Sequence, residues 1–247
     1  MTAHPLWTFI ESAHKGATFT DLTHAFHPGQ PKFPGFPDEE RSYVFSHATA
    51  PFQVDRYHVV GQWGTHVDPP LHFVKGGRPL EAIPVNEMLL ALCVLDISSR
   101  VATNPDATPA LDDLAAWEQR NGRIPAGSFV ALRTGWSARW PDPMRFANKD
   151  ASGVSHAPGW SMPVLQALFE DRGIMAVGHE QIDTDPGIAT SAGSFAMEDY
   201  VLRRDRWQIE LLTNLDTLPE AGALIAAMWP KAKGGSGFPA RAMAIHI

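Results

Sequence analysis

The stretch Gly61-Gln62-Trp63-Gly64-Thr65-His66-Val67-Asp68-Pro69-Pro70-Leu71-His72-Phe73 constrains this chain more than any other. In an extended backbone successive side chains alternate faces, so Gln62, Gly64, His66 and Asp68 project to one side. That side is polar in an otherwise apolar neighbourhood, and a polar face turned inward needs a partner. His66 and Asp68, at i and i+2, are close enough to share a divalent cation. Gln62 and His66 would lie about 13 Å apart in a straight strand, so a bend or bulge is expected at Gly64. Pro69-Pro70 has no amide hydrogen to donate, ends the ladder and returns His72 from a different direction. The arrangement suits metal-assisted hydrolysis: imidazole and carboxylate hold a Lewis acid, bound water ionises near neutral pH, and a nearby histidine shuttles the proton. The same residues also admit a purely structural reading, with Asp68 capping the Pro-Pro turn. Spacing by itself does not separate the two.

The 247 residues, 44% of them hydrophobic, suffice to bury a full-sized core. Lys plus Arg number 20 against 27 Asp plus Glu, a net charge of -7, and no block of five basic residues occurs; this argues against a nucleic-acid partner. The single cysteine, Cys93, sits in the apolar run 89–95, so no intrachain disulfide can form and a cytoplasmic location is expected. The segment MTAHPLWTFIESAHKG lacks the pattern of an export signal, and no apolar run approaches about 18 residues, so neither export nor a membrane span is expected.

No repeat or low-complexity linker divides the chain, which reads as one domain, 1–247. Short apolar or alternating runs predict strands over 18–22, 43–47, 54–60, 89–97, 129–133, 174–177, 207–212 and 242–247. Helices are predicted from a Thr108 cap to Gly122, from a Ser161 cap to Gly173, and over 195–203. Strands dominate the first hundred residues and then alternate with helices, the pattern of a mixed α/β domain.

Gln62 to His72 resembles the H-x-G-T-H-x-D-x-P-x-H signature of the cyclase-like metal-dependent hydrolases, which embrace formamidases, isatin hydrolases and dienelactone hydrolases; only the first position departs. Asp21-Leu22-Thr23 and Pro31-Lys32-Phe33-Pro34-Gly35 are similar to the family's opening strand and loop. Arg133-Thr134-Gly135-Trp136, Pro158-Gly159, Val177-Gly178 and Asp183-Thr184-Asp185-Pro186-Gly187 are similar to its later landmarks, in order. Gln208 to Leu215 is similar to the segment whose glutamate completes the metal site, which implies Glu210 as a ligand. Gln62 stands where formamidases carry a histidine, and Glu198, twelve residues before Glu210, stands where members with two zinc ions carry another. The implied metal ligands are then Gln62, His66, Asp68 and Glu210. His72 is implied as catalytic base and later proton donor, with Glu198 as a catalytic proton carrier. This oxygen-rich set points to one divalent ion, Mn2+ or Zn2+, with ligand softness favouring Mn2+.

By the same resemblance the fold is α/β, a mixed sheet curled into a barrel-like core with helices packed outside, of the swivelling β/β/α type. The implied assembly is a homodimer or homotetramer, and the implied activity is metal-dependent hydrolysis of a small-molecule cyclic or aryl amide or lactone. Ring closure by a cyclase of the same family, and a catalytically inactive small-molecule binding protein of the same fold, are the alternatives. For substrate contacts the candidates are Phe33 and Phe36 in the Pro-rich loop, Trp63, and His156 before Pro158-Gly159. Trp63 falls on the opposite face of the extended segment, where core packing competes with a ligand contact. His58 and His179 read as surface or satisfied-core histidines. Trp136, Trp140 and Trp160 read as pocket or packing residues. Ser191 and Ser194 lack a G-x-S-x-G context, so a serine nucleophile has no support.

Overall fold

The computed structural model describes residues 4–247. Its strands are β1 (Thr18–Asp21), β2 (Glu40–Phe45), β3 (Val54–His58), β4 (His66–Asp68), β5 (Leu89–Asp96), β6 (Phe129–Arg133), β7 (Ala176–His179), β8 (Trp207–Glu210), β9 (Ala223–Met228), β10 (Phe238–Pro239) and β11 (Arg241–His246). The α-helices are α1 (Pro5–Gly16), α2 (Ser98–Val101), α3 (Leu111–Asn121), α4 (Pro143–Ala147), α5 (Met162–Gln166), α6 (Gly187–Ser191) and α7 (Ala196–Arg203). Nine strands form one sheet in the order β1-β11-β9-β5-β6-β7-β8-β4-β10, and β2 and β3 pair separately as a hairpin. The central β5-β6-β7-β8 pairs are parallel, and both flanks are antiparallel. The sheet curls into a half-barrel with helices around it, as the sequence implied.

The central strands are apolar on both faces, as strands buried on both sides must be. Cys93, Leu95, Val130, Leu132 and Val177 point to the face covered by helices. Leu92, Val94, Phe129, Ala131 and Ala176 point the other way, where the curled sheet packs on itself against Trp207, Ile225 and Ala242. Gly178 lies where β7 is pressed closest: a methyl group there would stand 2.6 Å from Phe129 Cζ and 2.8 Å from Leu212 Cδ1.

Helix ends differ from expectation in instructive ways. α3 starts at Leu111 because the Asp113 carboxylate reaches back 2.7 Å to accept from the Ala110 N–H, while Thr108 offers its carbonyl to Arg100. Ser161 precedes α5 as expected, but its hydroxyl donates to Pro109 O at 2.5 Å instead of capping its own helix. The run toward Gly173 is an α-helix only to Gln166 and continues through Ala167–Asp171 as a π-helical turn. No helix among the described residues is long and apolar enough to cross a membrane.

Candidate active site

The site forms where the parallel half of the sheet meets its antiparallel flank. In the β4–β8 register His66 lies opposite Glu210 and Asp68 opposite Gln208, while Val67 and Ile209 between them go to the other face. Alternation thus gathers four polar side chains on one patch, all buried. Parallel β7 ends beside them with His179, so the centre sits at the carboxyl ends of β7 and β8, where open α/β sheets bind ligands.

His66 Nε2 lies 3.3 Å from Asp68 Oδ2 and 3.5 Å from Glu210 Oε2. Its other nitrogen, Nδ1, is 2.8 Å from the Gly64 carbonyl, which can only accept, so Nδ1 carries a hydrogen and Nε2 is the nitrogen that, once deprotonated, offers a lone pair beside two carboxylates. Such a donor set fits a divalent cation. Asp68 also belongs to a second convergent group with His72 and Glu198, whose closest approaches to His72 Nε2 are 4.0 and 3.7 Å.

Charge within the cluster is unevenly shared. Burial, then the surrounding carboxylates, pushes Glu198 and Glu210 well above the usual carboxylate range. At Asp68 burial is outweighed by the charges of His66 and His72, which hold it at about 2. Burial at His66 is likewise outweighed by Asp68, and its pKa rises. His179 is brought down by burial to about 3 and is neutral; its Nε2 stands 3.3 Å from Glu210 Oε1, out of line for a hydrogen bond. Without an ion, Asp68 is the carboxyl group that ionises most readily and the two glutamates are the ones that bind protons most readily, in competition with a divalent cation.

Neighbouring residues fix these groups. Gly64 makes the expected bend, with φ of +62°. The Thr65 hydroxyl donates to Leu211 O at 2.6 Å and accepts from His24 N–H at 2.9 Å, clamping the turn after Glu210. In that turn Leu211 holds a φ of +57°, strain of the kind that functional sites retain. Pro69-Pro70 starts a tight turn, closed by His72 N–H to Pro69 O at 2.9 Å, that swings His72 back as expected. The Asp185 carboxylate accepts from the Met197 and Glu198 N–H groups at 3.0 Å, which seats α7 and with it Glu198.

A cavity of about 200 Å³ opens above the cluster, walled by Phe33, Phe36, Phe73, Phe195, Ile182 and Leu211. Phe33 packs on Phe36 at 5.2 Å between centroids, and Phe195 lies 6.3 Å from both Phe33 and Phe73. The structure therefore brings Phe33, Phe36, Gln62, His66, His72, Glu198 and Glu210 to one cavity, with Asp68 beneath.

Three expectations need correction. Gln62 faces the cluster with its amide nitrogen, donating to Ser236 O at 2.8 Å and Asp68 Oδ1 at 3.3 Å, and an amide N–H has no lone pair for a metal. Only a glycine at 237 permits this, since a Cβ there would lie 2.0 Å from Gln62 Nε2. Trp63 is fully buried and donates to Glu39 Oε2 at 3.2 Å, so it packs the core instead of lining the cavity. His156 lies outside the cavity, held between Asp106 at 2.7 Å and Asp150 at 3.5 Å.

Gln208 was not singled out by the sequence, yet it sits at the centre. Its Nε2 faces Glu210 Oε1 at 3.0 Å, Glu198 Oε1 at 3.2 Å and Asp68 Oδ2 at 3.4 Å, and its Oε1 accepts from Thr184 Oγ1 at 2.8 Å. Strand alternation with Glu210 was the available signal. His179 was read as structural, although it closes the buried end of the site.

Comparison with known proteins fits this geometry. The Cyclase family model matches residues 20–186. The chain belongs to the Cyclase family. Within the family it is 33% identical over 201 residues to isatin hydrolase of Roseibium aggregatum, covering 79% of this chain and 76% of that protein. Isatin hydrolase A from Ralstonia solanacearum superposes with a TM-score of 0.90 at 30% identity, covering 100% of this chain and 99% of its own. An isatin hydrolase bound to the product analogue thioisatinate superposes with a TM-score of 0.89 at 27% identity, covering 99% of each chain. The chain is accordingly a hydrolase of this family.

Proposed function

We propose that this protein is a metal-dependent hydrolase that opens a cyclic amide of the isatin type. The observation carrying the proposal is the convergence of His66 Nε2, Asp68 and Glu210 at the floor of an aromatic-walled cavity, with His72 and Glu198 alongside. His66, Asp68 and Glu210 would hold one divalent ion, Mn2+ or Zn2+, which when bound supplies a Lewis acid for the carbonyl and acidifies water. His72 takes the proton from the water that attacks the ring carbonyl. The C–N bond then breaks, and His72 returns the proton to the departing nitrogen, leaving an amine and a carboxylic acid whose remaining proton passes to solvent to give the carboxylate. Glu198, 3.7 Å from His72 Nε2, relays protons between that imidazole and the cluster. Phe33, Phe36, Phe73 and Phe195 orient a planar ring, and Lys32 at the same cavity offsets the charge of the carboxylate product.

Two relatives named for isatin hydrolysis, one holding the product analogue thioisatinate, favour the amide over the lactone. The same reading has the chain working as a homodimer or homotetramer. Supporting this, α1 buries none of its apolar residues, with Leu6 68% and Trp7 75% exposed, and the β2–β3 hairpin leaves Tyr43, Val44 and Phe45 exposed. The test is metal content per chain followed by turnover of isatin, a dienelactone and N-formylkynurenine; light scattering reads the assembly. Isatin turnover lost on chelation is expected, and no turnover of any of the three at full metal loading would overturn the proposal.

A further inference from the structure

A second cavity, of about 290 Å³, lies directly behind the aromatic wall and shares Lys32, Phe33, Ile182 and Asp183 with the first as a partition. The metal-side cavity alone, at about 200 Å³, is smaller than the ~300–1,000 Å³ of ordinary small-molecule sites, whereas the two together fall inside that range. Their chemistry differs sharply. The first is walled by phenylalanines, but the second presents hydrogen-bond acceptors whose own protons are already committed. Ser155 Oγ donates to Ala147 O at 2.7 Å and Thr190 Oγ1 to Gly187 O at 3.2 Å, which leaves their lone pairs free. Ser191 Oγ already accepts from Ser155 N–H at 2.9 Å, and both Asp185 oxygens are taken by α7. Asp183 faces both cavities. Exposed Lys149 stands at the solvent side.

We propose that this second cavity is a substrate subsite that receives a ring substituent bearing hydrogen-bond donors, a hydroxyl or amino group, with Asp183, Ser155 and Thr190 as acceptors. The proposal rests on the cyclic-amide reading and narrows it: the preferred substrate is a ring carrying a donor substituent that reaches past Ile182, not the bare ring. Each such bond made in a desolvated pocket adds on the order of 1 kcal/mol, so one or two correspond to about a tenfold preference.

The test compares kcat/KM for isatin with isatins bearing hydroxyl, amino or methyl at each ring carbon in turn. At one ring position the hydroxyl or amino compound should exceed its methyl counterpart about tenfold. Ala157 lines only the far cavity, so Ala157→Phe fills it. This variant should abolish the preference and leave unsubstituted isatin within about twofold of the parent. Ala157→Leu, a smaller plug, and melting curves guard against misfolding. No preference at any position, or an equal loss for the bare ring in Ala157→Leu, overturns the subsite. Turnover of bare isatin reports separately on the parent reading. If it is absent, calorimetric binding of the same compounds as ring-opened carboxylates reads the subsite, with the same preference and the same loss expected, and equal affinities overturning it.

Discussion

Replacing Gln208 with alanine removes the one neutral donor shared by three carboxyl groups. Asp68 would keep Gln62 and His66 as partners, and Glu210 would keep Thr184 at 3.2 Å. Glu198 would be left with His72 alone, at 3.7 Å, so the loss falls mainly on Glu198 and on the spacing of the set. Two hydrogen bonds to acidic oxygens at about 1.5–3 kcal/mol each, partly recovered by protonation of the glutamates, give a net cost of about 3 kcal/mol. For a chain of this length that lowers the melting temperature by about 6–12 °C in chelated protein. Bound metal takes over the neutralising role, so the deficit should shrink at saturating Mn2+ while the apparent metal Kd weakens. Scanning calorimetry with and without chelator, alongside a metal titration, reads both. A metal-free Gln208→Ala variant melting within 2 °C of the parent, with unchanged metal affinity, would refute the organising role of the amide.

Further outcomes follow from the same geometry. His66→Ala should lose the ion and turnover together, whereas His72→Ala should keep the ion and lose turnover by at least about a hundredfold, read by elemental analysis and kcat. Glu198 and Glu210 have raised folded-state pKa values, so the metal-free fold binds more protons than the unfolded chain above about pH 4.5; its stability should fall as pH rises from there through the raised values. Asp68, depressed to about 2, acts oppositely and loses its contribution as pH drops from about 4 toward 2. Melting temperature against pH in chelator checks both limbs, and calorimetric metal titration in buffers of different ionisation heat should show proton release. Gly237→Ala places a methyl group 2.0 Å from Gln62 Nε2 and should displace that side chain, lowering kcat with little change in KM. His156→Ala, outside the cavity, should leave kcat/KM within twofold.

The sequence displayed some parts of this molecule far better than others. The bend at Gly64, the turn through Pro69-Pro70 and the convergence of His66 with Asp68 follow from alternation and proline chemistry, which act locally. Strand β4 shows in its polar alternation and not as an apolar run, because it has only three residues before Pro69 ends it. Strand β9, Ala-Leu-Ile-Ala-Ala-Met, is built of good helix formers and is a strand because β5 and β11 flank it on both sides. α1 has an apolar stripe but buries nothing in this chain, so its packing could not announce it. Gln208 and His179 gain meaning only from partners distant in sequence, and Gln62 looked like a ligand until the Ser236 carbonyl fixed which end of its amide faces inward.

Asp68 and Gln208, adjacent across β4 and β8, are 140 positions apart along the chain. An ion held between Asp68 and Glu210 would therefore close most of the polypeptide into a single loop, a task that the lone Cys93 cannot perform. Because the loop is long, the unfolded chain would forfeit much of its freedom on being tied there, as it does with a distant disulfide. The ligands also come together only when the last parallel strand meets its antiparallel neighbour. Metal capture would thus report that the sheet has closed, linking the availability of the ion in the cell to how much of the protein survives as a folded enzyme.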